Sequence, residues 1–185
     1  MPRLFTGLRV TPEISNALAM KRGGLVGARW IEPENYHITI GFAGDMDHGS
    51  AHELMRALDD MPSLPPFSIS IAGLDAFGGD KPRAIIAHVE GGDELRQLKG
   101  LSDAAMRRAQ VNFDRRRFTP HVTLARLRHA SALDVADYLG SAVLMPMRMQ
   151  VEELVLFSSR DSRGGGPYRT EQTIELYDQY EELAY

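Results

Sequence analysis

The stretches His37-Ile38-Thr39-Ile40 and His121-Val122-Thr123-Leu124 carry one pattern, His-apolar-Thr-apolar, in the two halves of a 185-residue chain. No other feature of the sequence constrains the fold as much. Neighbouring side chains of an extended strand point to opposite faces, so His37 shares a face with Thr39, and His121 with Thr123. Ile38, Ile40, Val122 and Leu124 then take the other face, where a core can hold them. A sheet that brings the two strands together lines up two imidazoles and two hydroxyls on one floor. With 6 His in the chain, two such matches arise by accident in about one sequence in a thousand.

The surrounding sequence reads as mixed helix and strand. Arg3 to Val10 alternates as a strand, and Thr11-Pro12-Glu13 opens a helix that should reach about Lys21. Ala28 to Ile31 is a short strand, followed by the first motif strand and then a loop from Gly41 to Gly49. Ser50 to Asp59 reads as a helix with Leu54, Ala57 and Leu58 on one face, which leaves His48 outside it. Phe67 to Ile71 and Arg83 to Val89 read as paired strands, and Gly92 to Gln110 as the longest helix. Ser131 to Leu139 is a short helix. Met147 to Phe157 and Arg169 to Leu176 are the final strands, with the glycine-rich stretch through Gly164, Gly165 and Gly166 between them. There is no regular βαβ alternation. The expectation is an α+β fold, a single bilobal domain over 1–185, whose two pseudo-symmetric lobes with mainly antiparallel sheets flank a central cleft.

Composition narrows the chemistry. The chain has no Cys, which removes disulfides, thiolate metal sites and a Cys nucleophile, and fits a reducing cytosol. No long apolar segment for export or membrane insertion is seen, so a cytoplasmic protein without membrane contact is expected. A formal net charge of −4 argues against a general nucleic-acid coat. Yet Arg107, Arg108, Arg115, Arg116, Arg117, Arg126 and Arg128 crowd around the second motif, while Glu171, Glu175, Asp178, Glu181 and Glu182 make the end acidic. A local phosphate site on a weakly acidic protein accounts for that distribution. A solvated helix end and loop is the bland account of any single arginine in it.

Two histidines without a nearby carboxylate or thiol make a poor metal site and a good acid–base pair. One neutral imidazole can take a proton from an attacking water while the other, protonated, gives one to the leaving oxygen of a phosphodiester. Thr hydroxyls can donate to phosphate oxygens, and a guanidinium can stabilise the growing charge. No cofactor and no metal are called for.

With Arg3-Leu4-Phe5, Arg29-Trp30-Ile31, Pro33-Glu34-Asn35, Phe118-Thr119-Pro120 and Ala125-Arg126 around them, the two motifs resemble the paired signature of the 2H phosphoesterase superfamily. The likeness points to its RNA 2′,3′-cyclic phosphodiesterase branch, also called 2′-5′ RNA ligase. It implies metal-independent opening of a terminal 2′,3′-cyclic phosphate to a 2′-phosphomonoester, and in some members 2′-5′ joining of tRNA halves. The implied roles are general acid toward the departing O3′ for His37 and base for water for His121, with the reverse order open, and phosphate binding for Thr39, Thr123 and Arg126. RNA ends, tRNA fragments or small nucleotides are the implied partners, and a monomer is expected. A regular strand puts Arg126 on the face opposite His121, so a bulge, twist or strand end near Ala125 is required. Gly41, where many relatives carry a longer residue, is expected to open the cleft on its side.

Other readings remain. The chain could bind RNA ends or nucleotides without turnover, or act on another cyclic or 2′-5′-linked nucleotide. Trp30, Phe5 and Tyr168 could stack on a base, with core packing the fitting use of the first two. His48 and His52 are expected to face solvent, and His88 and His129 have no evident partner. Gly164 to Gly166 are not followed by the Lys and hydroxyl residue of a P-loop.

Overall fold

The computed structural model describes residues 3–113, 117–159 and 165–178. Arg115, Arg116, Gly164, Glu181 and Glu182 therefore lie outside the described residues. The strands are β1 (Arg3–Arg9), β2 (Ala28–Trp30), β3 (His37–Asp45), β4 (Phe67–Phe77), β5 (Ala84–Glu90), β6 (His121–Leu127), β7 (Met147–Val151), β8 (Glu153–Ser158) and β9 (Arg169–Glu175). The helices are α1 (Pro12–Ala19), α2 (His48–Asp59), α3 (Gly92–Arg108) and α4 (Ala132–Ser141), with one 3₁₀ turn at Pro33–Asn35.

These strands form one nine-stranded sheet in the order β7-β4-β5-β6-β3-β1-β8-β9, with β2 beside β6, and their pairings are antiparallel. The motif strands β3 and β6 are its centre. They meet through a single registered pair, Ile38 with Val122, so the expected lobes are the two halves of one sheet diverging from that seam. One half is β3-β1-β8-β9, and the other is β7-β4-β5-β6 with β2. Strands β7 and β8 are six strand steps apart in this order, about 29 Å in a flat sheet. Only Glu152 separates them in sequence, a link of about 7 Å. The sheet must curl until its ends approach.

One face of the sheet is packed. Leu4 and Leu8 of β1, Ile38 and Ile40 of β3, Val122 and Leu124 of β6, and Leu154 and Leu156 of β8 are buried with Leu54 and Leu58 of α2 and Leu95, Leu98 and Met106 of α3. Each such side chain stabilises the fold by about 1.5–3 kcal/mol. A buried polar contact, Thr6 Oγ1 to Ser102 Oγ at 2.8 Å, ties β1 to α3 within this layer.

Several boundaries differ from the sequence reading. The first motif strand runs on to Asp45 instead of ending in a loop at Gly41, because β1 pairs along it through two bulges. Strand β4 likewise continues past Ile71 to Phe77. Helix α2 starts at His48, since the Asp47 side chain accepts from Ser50 N at 2.9 Å and caps it there. His48 is thus inside the helix, and both it and His52 are exposed. The stretch Met147 to Phe157 is two strands, paired to β4 and to β1 respectively.

Gly41 does not open the cleft. A Cβ there would lie 2.7 Å from Met106 Cε, 3.0 Å from Thr6 Oγ1 and 3.2 Å from Ser102 Oγ, on the helix-covered face. Overpacking of this kind costs about 1–3 kcal/mol. Gly41→Leu should lower the urea unfolding midpoint accordingly; an unchanged midpoint would return the position to the open face.

Candidate active site

Each motif opens the same way. His37 donates Nδ1–H to the Asn35 carbonyl at 2.8 Å, and His121 donates Nδ1–H to the Thr119 carbonyl at 2.7 Å. Both bonds run to the residue two positions upstream. They hold the rings against their own strands and leave each Nε2 as the working nitrogen. In His37 that nitrogen lies 3.1 Å from Thr39 Oγ1. Continuing the Ile38–Val122 register by one residue sets His37 across from Thr123, and His121 across from Thr39.

The bulges complete the arrangement. Against β5, Ala125 pairs with Ile85 and Thr123 with Ile86, leaving Leu124 as an extra residue on β6. Leu124 and Ala125 are consecutively buried, and Arg126 emerges exposed on the side of His121 and Thr123. The bulge that Arg126 requires is therefore present, and the Arg126 charge acts on both histidines. Strand β3 repeats the device. Ile40 is the extra residue against β1, and Phe42 occupies the place that Arg126 has on β6.

The two histidines sit in different surroundings. The His37 ring is enclosed by Phe5 at 4.9 Å, Tyr168 at 4.8 Å and Phe157 at 5.9 Å between centroids. This burial, outweighing the favourable bond to Asn35 and joined by repulsion from His121 and Arg126, lowers its pKa to about 4. Among the described residues His121 has one ring neighbour, Phe77 edge-on at 4.8 Å. Its pKa is also lowered, chiefly by burial and further by Arg126 and His88. Among the described residues no group of three His, Cys, Asp or Glu side chains is placed to hold a metal ion. No helix among them is long and apolar enough to cross a membrane.

A family model described as "2'-5' RNA ligase superfamily" matches residues 16–163. The chain belongs to that superfamily. Its similarity to the RNA 2′,3′-cyclic phosphodiesterase of Bacillus subtilis (strain 168) is 31% identity over 130 residues, covering 68% of this chain and 71% of the relative. The enzyme of the same name from Geobacillus stearothermophilus is 30% identical over 159 residues, 83% of this chain and 51% of its own length, so the chain spans about half of that relative. Among solved structures, TT0787 of Thermus thermophilus superposes with a TM-score of 0.78 at 20% identity, covering 96% of this chain and 99% of that one. E. coli LigT in apo form gives 0.72 at 21% identity, with 96% and 99% covered. The last two likenesses are of fold.

Around the motifs of this 2′-5′ RNA ligase superfamily member, the structure gives several residues partners that the sequence reading did not name. Asn35, whose carbonyl holds His37, accepts from Tyr168 N–H at 3.3 Å through its side chain. Gly166, at φ +102°, lies so close to Asn35 that a Cβ would meet its amide carbon at 2.3 Å. The described end of the glycine-rich stretch thus closes on the first motif. Phe5 is buried, as a core residue would be, yet its ring neighbours are His37, Phe157 and Tyr168. Trp30 serves the helix-covered face, 5.7 Å from the Tyr138 ring. His88 does have partners. It stands directly across from His121 and meets Asp75 Oδ2 through Nε2 at 3.0 Å. Strand alternation sets the faces of Phe5 and His88, and it names no partner.

Proton uptake tests this electrostatic picture. Ring resonances of His37 should titrate near pH 4 and those of His121 below 6.5. A His37 midpoint at or above 6.5 would mean that the aromatic enclosure does not form.

Proposed function

We propose that the chain is a metal-independent RNA 2′,3′-cyclic phosphodiesterase that opens the terminal cyclic phosphate to a 2′-phosphomonoester. The observation that carries this reading is the matched pair of Nδ1–H bonds, which leaves two Nε2 atoms and the Arg126 guanidinium beside one another. The names of the B. subtilis and G. stearothermophilus relatives support the substrate. E. coli LigT, whose fold this chain shares, has been solved in complex with 3′-AMP, which supports a nucleotide as ligand.

In the reaction one imidazole takes a proton from water as its oxygen attacks phosphorus, the P–O3′ bond breaks, and the other imidazole protonates O3′. The enclosure of His37 favours its neutral form, so we assign it the base and His121 the acid. Thr39 and Thr123 donate to non-bridging oxygens, and Arg126 offsets the charge that grows on them. With a 5′-hydroxyl in place of water, the same groups can form a 2′-5′ linkage between RNA ends such as tRNA fragments. A monomer suffices, because both motifs come from one chain. The absence of Cys suits a cytoplasmic location.

A short RNA ending in a 2′,3′-cyclic phosphate, incubated in EDTA, should yield the 2′-phosphate. His37→Ala and His121→Ala should each lower kcat by about 10²–10⁴. Undiminished turnover in either variant, or loss in EDTA restored by a metal, would defeat the proposal.

The acid–base pair has its own signature in kcat/KM, which reports the free enzyme. The rate should rise as pH climbs through about 4, where His37 becomes available as base. It should fall again below the ordinary 6.5, as His121 gives up its proton. A plateau extending above pH 7 would mean that no protonated histidine is needed, and would overturn the acid–base pair.

A further inference from the structure

Each motif histidine has a residue with a nitrogen-bearing side chain directly across the neighbouring strand. Arg9 of β1 is registered with His37, and His88 of β5 with His121. Each of these is joined to a carboxylate one strand further out. Arg9 Nε meets Glu153 Oε1 of β8 at 3.4 Å, and His88 Nε2 meets Asp75 Oδ2 of β4 at 3.0 Å. The halves of the sheet therefore repeat the flank of the site as well as its centre.

The flanks differ in what they leave free. Arg9 is engaged by Glu153, by Thr170 Oγ1 at 2.9 Å and by the Phe157 ring, 5.5 Å from its guanidinium carbon. His88 makes its one side-chain hydrogen bond to Asp75, and its Nδ1 has no partner among the described residues. Its side chain is 42% exposed. Asp75 is fixed as a carboxylate: the Ala76 N–H on Oδ1 at 2.7 Å, then His88, hold its pKa below the usual range. Its presence beside His88 depends on a bulge. Gly73, at φ +70°, is the extra residue between the Ala72–His88 and Leu74–Ala87 pairs. That shift brings Asp75 opposite Ile86, on the face that carries His88.

We infer that His88, braced by Asp75, is a second phosphate contact, taking the phosphodiester that precedes the terminal nucleotide of an RNA substrate. This rests on the proposed reaction at His37 and His121. Directly opposed residues of an antiparallel pair have Cβ atoms about 4.5–5.5 Å apart, so a group held at His88 is one nucleotide's reach from a phosphate at His121. With a proton on each nitrogen, the ring donates Nε2–H to Asp75 and Nδ1–H to a phosphate oxygen. Asp75 lies behind the ring, against Nε2, so the ligand meets the donor edge. A mononucleoside cyclic phosphate has nothing to place there. A dinucleotide does.

The test compares a nucleoside 2′,3′-cyclic phosphate with the dinucleotide ending in the same group, for wild type, His88→Ala and His88→Lys. Binding of the corresponding 2′-phosphate products is measured beside turnover. One charge-assisted contact predicts a dinucleotide advantage of about tenfold, carried by KM and shrinking with salt. The ratio should fall toward one in His88→Ala and return in His88→Lys. A ratio unaltered by His88→Ala, in both turnover and binding, overturns the inference. Absent turnover with a binding ratio that follows His88 would uphold the contact and count against the reaction. Loss of the advantage when the 5′ sugar is 2′-deoxy would give Nδ1 to a hydroxyl and overturn the phosphate assignment.

Discussion

One backbone pair, Ile38 with Val122, joins the halves of the sheet, and the open face inherits its order from that contact. Both side chains are fully buried on the helix-covered side. A slip of one residue in either strand would turn its His and Thr toward the core and its aliphatic residues toward water. The cost of exposing Ile38 and Ile40, or Val122 and Leu124, is several times the net value of a hydrogen bond. Hydrophobic register thus fixes the geometry of the two His-x-Thr motifs, although none of the fixing residues lies on their face.

Around that seam the scaffold is nearly two-fold and the chemistry is not. The bulges at Ile40 and Leu124 flip the strands alike, yet they present Phe42 in one half and Arg126 in the other. His37 has three aromatic rings about it, while His121 has Phe77, Arg126 and His88 near it. Two identical side chains in identical backbone settings thereby acquire different basicity, which is what an acid and a base drawn from one residue type require.

The motif strands, the α+β class and the antiparallel pairing were legible because they depend on local alternation and on repeated residue patterns. Helix α3 was legible for the same reason, its Leu95, Leu98, Ala105 and Met106 falling at helical spacing and all buried. Bulges were not. A bulge leaves the residue types unchanged and alters only the count across a strand pair, so the run of β3 beyond Gly41 and the placing of Asp75 beside His88 became visible only in the paired structure. The requirement for a bulge near Ala125 could be stated beforehand, since the family resemblance implied that Arg126 shares a face with His121. Where no such reason was apparent, as at Glu152, the sequence read as one continuous strand.

That break at Glu152 has a mechanical consequence. It passes the chain from the outermost strand of one half straight to a strand beside β1 in the other. Besides the shared helix layer, the halves of the sheet are thus joined at the central seam and again at this clasp, and a hinge at either alone is blocked by the other. The span between His37 and His121 is then a fixed gauge, closer to the jaws of a calliper locked at one setting than to a closing hand. Any ligand that is to bridge the two histidines must therefore fit a span set by backbone, which no change of side-chain rotamer relaxes.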